Sequence, residues 1–170
     1  MKQSEFINLV MPFKDRLFRL AKRLLVSKEE AEDATQEVFL KLWTGNAKIK
    51  DYTNLEAFAM TMTKNFCLDR LKSKQASTVT VALTNLREEA KDSLQKTIEA
   101  KDSVTWVKIL MDDLPTQQKI ILQLREVEHY SFEEIEKIVA MKPIAIRVAL
   151  SRARKTIREQ LKQKHNYGIK

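Results

Sequence analysis

One stretch near the C-terminus constrains the fold more than any other, because it predicts two short helices about a tight turn. Ser131 and Glu134 have the spacing of a capping box, in which the serine oxygen accepts from the third backbone N–H and the glutamate reaches back to the cap. The first helix therefore begins near Phe132. It ends near Ala140, since Pro143 disfavours helical geometry in the residue before it.

A second helix is predicted from Pro143, which fits a first turn, to about Gln160. At about 100° per residue, one face is apolar and carries Ile146, Leu150, Ala153, Ile157 and Leu161. The opposite face carries Ile144, Val148, Ser151, Arg152 and Lys155, flanked by Arg147, Arg154 and Arg158. Two such helices form a helix-turn-helix, whose second helix can enter the DNA major groove.

The charge around this second helix is strongly one-sided. Residues 142–170 contain nine Lys or Arg and one acid, Glu159. A solvated basic face is the alternative interpretation of such a run. Because the run coincides with the exposed side of a helix-turn-helix, the sequence favours DNA binding.

Composition predicts an all-α chain. The 170 residues include only two glycines and three prolines, so few tight turns are available. The net charge is +8. Basic residues exceed acids by 14 to 10 in residues 1–74 and by 12 to 7 in residues 113–170, whereas residues 75–112 have 5 against 6. Both ends, but not the middle, suit a polyanionic partner.

The sequence lacks the motifs that several classes of function require. The N-terminus lacks a signal peptide's pattern and no apolar run approaches the length of a membrane span, which predicts a cytoplasmic protein with no membrane segment of its own. The single cysteine, Cys67, suits a reducing compartment. His129, His165 and Cys67 lack metal-ligand spacing, and no phosphate loop or nucleophile motif occurs. We therefore expect no enzyme activity, no metal and no cofactor.

Three helices are predicted before the middle of the chain. The first follows Pro12 and ends at Val26. Capping boxes at Ser27 with Glu30 and at Thr53 with Glu56 begin the second and third. The third helix reaches about residue 73, and its inward stripe is predicted to be Phe58, Met62, Phe66 and Leu71.

The chain is predicted to form two small helical domains joined by a flexible linker. Residues 75–85 are rich in Ser and Thr and lack helical periodicity; a weak strand is the alternative, disfavoured because nothing else in the chain pairs with it. Asp113 and Pro115 then open a helix that packs under the helix-turn-helix. The predicted boundaries are residues 1–74 for the first domain, 75–100 for the linker and 101–165 for the second domain.

With these residues placed, the chain resembles the extracytoplasmic-function sigma factors of the sigma-70 family of bacterial RNA polymerase subunits. Residues 31–43, AEDATQEVFLKLW, are similar to the family's AED-x-x-QE-x-F-x-x-x-W signature. Residues 56–72 resemble its next motif, an aromatic followed by a basic-Asn pair and an Asp-Arg pair. Leu114-Pro115 and residues 134–154 resemble its C-terminal helix-turn-helix. Phe58, Thr63, Ile144 and Ala145 depart from the usual family residues.

The resemblance implies a sigma factor that binds core RNA polymerase, through its clamp and flap regions, and directs promoter-specific transcription initiation. For the minus-35 element it implies DNA contacts by Lys142, Arg147, Val148, Ser151, Arg152, Lys155 and Arg158. For the minus-10 element the expected contacts are Lys48, Lys50, Tyr52, Lys64, Asn65 and Arg70. The expected polymerase contacts are Asp33, Gln36 and Glu37. Many relatives also have an anti-sigma factor, which the sequence does not identify here.

Two alternatives stay open at this stage. Phe58, Met62 and Phe66 are either core residues or base-stacking residues, and the shared stripe favours core. A stand-alone helix-turn-helix regulator is the main rival function. Such a regulator normally dimerises to bind two half-sites, and this chain has no sustained heptad pattern for a dimerisation helix.

Overall fold

The computed structural model describes residues 1–45, 49, 51–76 and 103–168. Within these ranges the regular elements are helices and no strand occurs, as predicted. The helices are α1 (Gln3–Val10), α2 (Lys14–Leu25), α3 (Lys28–Thr44), α4 (Leu55–Ala76), α5 (Ser103–Asp112), α6 (Thr116–Leu122), α7 (Phe132–Val139) and α8 (Pro143–Gly168). Most of the predicted linker, and the strand weighed against it, lie outside the described residues.

Helix starts follow the predicted caps at two of three places. The Ser131 hydroxyl accepts from Glu134 N–H at 3.2 Å, and the Glu134 carboxylate accepts from Ser131 N–H at 2.8 Å, so this capping box is confirmed. The Ser27 hydroxyl accepts from Glu30 N–H at 3.3 Å, so Ser27 caps α3 as expected, but the Glu30 carboxylate pairs with Lys74 and no reciprocal capping box is described. The predicted box at Thr53 is wrong: the cap of α4 is Asn54, whose Oδ1 accepts from a backbone N–H at 2.9 Å.

The N-terminal half, residues 1–76, is a bundle in which α2 packs against α3 and α4. Leu17 and Leu20 of α2 are completely buried in its core. Sequence reasoning missed α1, whose buried Phe6 lies edge-on against Trp43 with ring centroids 5.1 Å apart. Burying one such aromatic side chain contributes roughly 1.5–3 kcal/mol to the stability of the fold.

The predicted inward stripe of α4 is wrong. Its innermost side chains are Met60, Thr63 and Cys67, all at zero exposure, whereas Phe58 and Phe66 are only half-buried at the edge of the core. The Thr63 hydroxyl is satisfied by donating to a backbone carbonyl one turn earlier, at 2.9 Å. A small polar side chain can therefore lie in the core without an unpaired group.

The C-terminal half, residues 103–168, contains the expected helix-turn-helix. Its core is built from α6, α7 and α8, with Ile121, Leu124, Ile135 and Ile138 among the buried side chains. The predicted apolar stripe of α8 is confirmed: Ile146, Leu150, Ala153 and Ile157 are buried, and Leu161 is half-buried. Ala140 adopts a left-handed conformation that ends α7 before the turn.

The two halves touch each other. Helix α2 packs against α6, and α4 packs against α7. Between α6 and α7, residues Gln123–Val127 form one wide π-helical turn, after which Glu128 and Tyr130 are buried. This packing could not be read from a pattern of two tethered domains.

Candidate nucleic-acid interface

The outward face of α8 is the largest group of predicted DNA contacts. All seven predicted minus-35 residues are exposed: Lys142, Arg147, Val148, Ser151, Arg152, Lys155 and Arg158. The opposite face of the same helix lies in the core, which fixes the rotation of α8. An exposed helix with several cations on one side and a rigid apolar anchor on the other can approach DNA without unfolding.

Arg147 is held by an aromatic contact beneath the basic face. Its guanidinium carbon lies 5.4 Å from the centroid of the Phe132 ring, and that of Arg125 lies 4.3 Å from the same centroid. Arg125 also donates to the Tyr130 carbonyl at 2.9 Å. A cation over an aromatic face gains about 0.5–1 kcal/mol when exposed, so Phe132 limits the positions that Arg147 samples.

Other cations of α8 already have acidic partners. Arg154 forms an ion pair with Glu126, and the Lys155 ammonium lies 3.9 Å from the Glu159 carboxylate. Both pairs are exposed, and such pairs contribute at most about 1 kcal/mol. Lys155 can therefore exchange its partner for a phosphate at little cost.

The acidic face of α3 is also exposed. Asp33 and Gln36 face solvent, and Glu37 lies 4.0 Å from Lys41 in a weak pair one turn apart. Beside them a cavity of about 460 Å³ opens between α1, α2 and α3, lined in part by Phe6 and Gln36. Acidic groups repel DNA phosphates, so this face suits a basic protein surface rather than DNA.

The predicted minus-10 residues are spread over two elements. The Tyr52 ring stacks on Phe58 with centroids 4.3 Å apart and is 41% exposed. Asn65 is exposed on α4, and the Arg70 guanidinium lies 5.8 Å from the Phe66 ring. Lys48 and Lys50 lie outside the described residues. Of these side chains, Tyr52 and Asn65 are thus exposed, whereas Phe58 and Arg70 are half-buried.

Lys64 has a different environment from the one that the sequence suggested. Its ammonium donates to the Ile138 carbonyl on α7 at 3.0 Å. Burial lowers the pKa of Lys64, because the charged form loses hydration between α4 and α7. In this arrangement Lys64 is turned to the C-terminal half and not to a phosphate.

Lys64 belongs to a set of polar contacts between the halves, here called the central interface. Its N-terminal members are Arg16, Arg19, Arg23, Glu56 and Lys64, and its C-terminal members are Asp112, Gln123, Glu128, Tyr130 and Ile138. Sequence reasoning missed this interface. The one available signal was the spacing of Arg16, Arg19 and Arg23, which recur at every third or fourth position of α2.

Glu128 is the most buried charged group of the central interface, with 1% of its side chain exposed. Arg19 donates to both of its carboxylate oxygens at 2.7 Å, and the Gln123 amide donates to it at 3.3 Å. A buried carboxylate is costly unless paired and hydrogen-bonded. The two-pronged arginine contact satisfies that requirement and raises the pKa of Arg19 by hydrogen bonding.

Two further groups complete the central interface. Glu56 accepts from Arg16 at 2.6 Å and from the Tyr130 hydroxyl at 2.6 Å, and burial raises the pKa of Tyr130. Arg23 donates to Asp112 at 2.9 Å and to Gln123 at 3.1 Å. Ion pairs and hydrogen bonds therefore both link the halves across the central interface.

Metal and membrane chemistry find no support among the described residues. No group of three His, Cys, Asp or Glu side chains there could hold a metal ion. Within the same ranges, no helix combines the length and the apolar character that a membrane span requires.

Comparison with known families gives two matches in chain order. Residues 9–77 match the model of Sigma-70 region 2, and residues 108–157 match that of Sigma-70, region 4. The first match contains the acidic face of α3 and the exposed part of α4. The second contains the helix-turn-helix.

Individual relatives agree with these matches. The chain is 21% identical over 169 residues to the ECF RNA polymerase sigma factor SigW of Bacillus subtilis, covering 94% of this chain and 90% of the relative. It is 26% identical over 167 residues to the RNA polymerase sigma-H factor of Pseudomonas aeruginosa, covering 90% and 84%. Its fold is similar to that of the sigma factor RpoE from Bartonella quintana, solved in complex with the anti-sigma factor NepR, with a TM-score of 0.63, 20% identity, and 93% and 97% of the two chains covered.

Proposed function

The chain belongs to the sigma-70 family, as one of its extracytoplasmic-function sigma factors, and we infer from this that it binds core RNA polymerase and directs it to promoters. The observation that carries the inference is the order of the two family regions along one chain, residues 9–77 and then 108–157. A stand-alone regulator would account for the helix-turn-helix but not for region 2. That rival is not favoured.

For the minus-35 element we propose that α8 lies in the major groove. Arg147 and Arg152 contact base edges, where an arginine can pair bidentately with guanine. Lys142, Lys155 and Arg158 contact phosphates, and Val148 and Ser151 lie against the bases between them. The exposure of these side chains and the buried opposite face of α8 support this orientation.

For polymerase we propose that Asp33, Gln36 and Glu37 contact the clamp. They lie on one face of α3 at spacings of three and four residues, away from its buried stripe. Charge reversal at Asp33 and Glu37 should abolish assembly with core polymerase while the helix content stays unchanged. Matched reversal of Glu136, an exposed acid of α7 in the other half of the molecule, is the control.

For the minus-10 element we propose that Tyr52, Asn65 and Arg70 contact an unpaired strand, together with Lys48, Lys50 and Lys64. The stacked and half-exposed rings of Tyr52 and Phe58 support this, because sequential bases stack on such platforms. Lys64 joins this set only when its hydrogen bond to Ile138 is released. Asn65 supplies both donors and acceptors for a base edge.

The test of the proposed function is co-purification with core RNA polymerase followed by run-off transcription. We expect the chain to co-purify and to start transcription at one position on a promoter that it selects from a random library. Binding to DNA without binding to polymerase would instead indicate the stand-alone regulator. If the chain neither binds polymerase or DNA nor starts transcription, the sigma-factor proposal is overturned.

Four lesser proposals accompany it. The chain acts by binding and not as an enzyme, and it works in the cytoplasm, where its polymerase partner is found. Its domains extend over residues 1–74 and 101–165, joined by 75–100. We also propose an anti-sigma factor as a partner, since the Bartonella sigma factor of similar fold was solved in complex with one.

A further inference from the structure

Two apolar side chains lie on the exposed face of α8 among its cations. Ile144 is 77% exposed, the highest fraction among the large apolar side chains that the structure describes, and Val148 is 41% exposed. They are four residues apart, so they lie on one side of the helix, separated by about 6 Å along its axis. Both are β-branched and therefore stiff in a helix.

The core does not account for this pair. The buried stripe of α8, which includes Ile146 and Leu150, points the other way. Ile144 lies in the first turn of α8, the part of a recognition helix that contacts base edges. Ile144 faces solvent at this position, so the core does not need its side chain.

The surroundings of the pair indicate the kind of partner. Lys142, Arg147 and Arg152 are exposed around it, and of their side chains only that of Arg147 has a described contact, with the Phe132 ring. A basic field with an apolar centre fits a polyanion that also presents an apolar group. In the major groove that group is the C5-methyl of thymine.

We propose that Ile144 and Val148 recognise the methyl groups of thymines in the minus-35 element. This inference rests on the proposed function and adds a base preference to it. Base pairs are about 3.4 Å apart along DNA, so side chains about 6 Å apart reach methyl groups roughly two base pairs apart. The preferred element therefore contains thymines at that separation, on one strand or across both.

The test uses holoenzyme, assembled from core polymerase and the full chain, and promoter duplexes selected from a random library. Each thymine of the minus-35 element is replaced in turn by deoxyuridine, which deletes only the methyl group. Binding and run-off transcription are measured for each duplex. We expect affinity to fall about fourfold at the two contacted thymines, the effect of removing one buried methyl, and to stay unchanged at the others.

Two variants assign the contacts. With Ile144→Ala the penalty for deoxyuridine at one position should disappear, and with Val148→Ala the penalty at the other. Both side chains are exposed, so these variants should fold as the wild type does, which circular dichroism checks. Arg152→Ala is the matched control: its affinity should be lower on every duplex, while both deoxyuridine penalties remain.

Three outcomes would overturn the inference, and they are distinguishable. If transcription is normal and no deoxyuridine changes affinity, methyl recognition is wrong and the proposed function stands. If Ile144→Ala weakens transcription equally on thymine and deoxyuridine templates, the side chain contacts a protein surface of polymerase and not DNA. If wild-type holoenzyme neither forms nor transcribes, the proposed function fails and this inference with it.

Discussion

The basic side chains of the two halves have different surroundings, although both ends of the chain have an excess of positive charge. On α2, Arg16, Arg19 and Arg23 face acids or amides across the central interface. On α8, Arg147 and Arg152 are exposed and form no ion pair with any described residue. Net charge along a sequence therefore locates cations but does not tell which of them are available to a partner.

The difference follows from what each arginine faces. Glu128 is buried, so its carboxylate needs a donor, and Arg19 satisfies both oxygens. Among the described residues, no acid is buried beneath the outward face of α8, where the core is apolar. The α2 arginines thus stabilise the packing of the halves, whereas Arg147 and Arg152 of α8 remain available to a partner.

The largest expected effect tests the availability of the α8 cations. Replacing both Arg147 and Arg152 by alanine should lower affinity for the minus-35 element by roughly 2–6 kcal/mol, because each bidentate arginine–guanine pair is worth about 1–3 kcal/mol. Fluorescence anisotropy on a labelled duplex measures it. Arg23→Ala is the control, and an equally weakened affinity in that variant would contradict the distinction between the two sets of arginines.

The second prediction tests the central interface. Glu128→Gln keeps the shape of the side chain but removes the charge that Arg19 binds, which should weaken the packing of the halves by roughly 1.5–3 kcal/mol. Small-angle X-ray scattering should detect a larger radius of gyration. Glu136→Gln, at an exposed acid of α7, is the control. An unchanged radius in Glu128→Gln would mean that apolar contacts alone hold the halves together.

A smaller effect is expected at Lys155, whose exposed pair with Glu159 is weak. Because we assign it to a phosphate, its replacement by alanine should lower affinity for all DNA sequences alike and reduce the salt dependence by the equivalent of about one phosphate. Titrations at several salt concentrations measure the slope. A weaker affinity confined to one promoter sequence would show that α8 is rotated in the groove relative to this assignment.

The smallest expected effect concerns Cys67, which is buried in the core of the N-terminal half. Burial raises the pKa of its thiol to about 12, above its usual value, so almost no thiolate is present at pH 8. Alkylation should therefore be slow at pH 8 and equally slow in Glu128→Gln. Faster labelling in that variant would mean that separating the halves also loosens the N-terminal core.

Because the folded-state pKa of Cys67 is raised, this group favours folding most below its unfolded pKa, near 9. That contribution is lost as pH rises from there toward the folded pKa near 12. The denaturant midpoint of unfolding should therefore be lower at pH 10 than at pH 8. A Cys67→Ala variant should remove the part of the difference that belongs to this thiol.

Local patterns in the sequence predicted most of the helix-turn-helix. These features are the capping box at Ser131, the apolar stripe of α8 and the exposure of its outward face. Each depends on spacings of three and four residues within a single helix. The acidic face of α3 was predicted for the same reason. Such features can be predicted from the sequence because the geometry of one helix sets them, whatever that helix packs against.

The central interface was not predictable in this way. Arg19 and Glu128 are 109 positions apart, and Glu56 and Tyr130 are 74 apart, so no local pattern links them. The predicted inward face of α4 was also wrong, because Ala59, Met60 and Thr63 allow close helix packing that large aromatics prevent. These features depend on how preformed helices meet.

The direct packing of the two halves limits how far apart on DNA the two halves can bind at the same time. The minus-10 and minus-35 elements are separated by roughly 25 base pairs, or about 85 Å at about 3.4 Å per pair. We expect that halves joined by the hydrogen bonds of Arg19, Lys64 and Tyr130 cannot span that distance, so a chain that binds both elements would have to separate at the central interface. The groups released by such a separation include Arg19, Glu128 and Lys64, whose charges water can solvate.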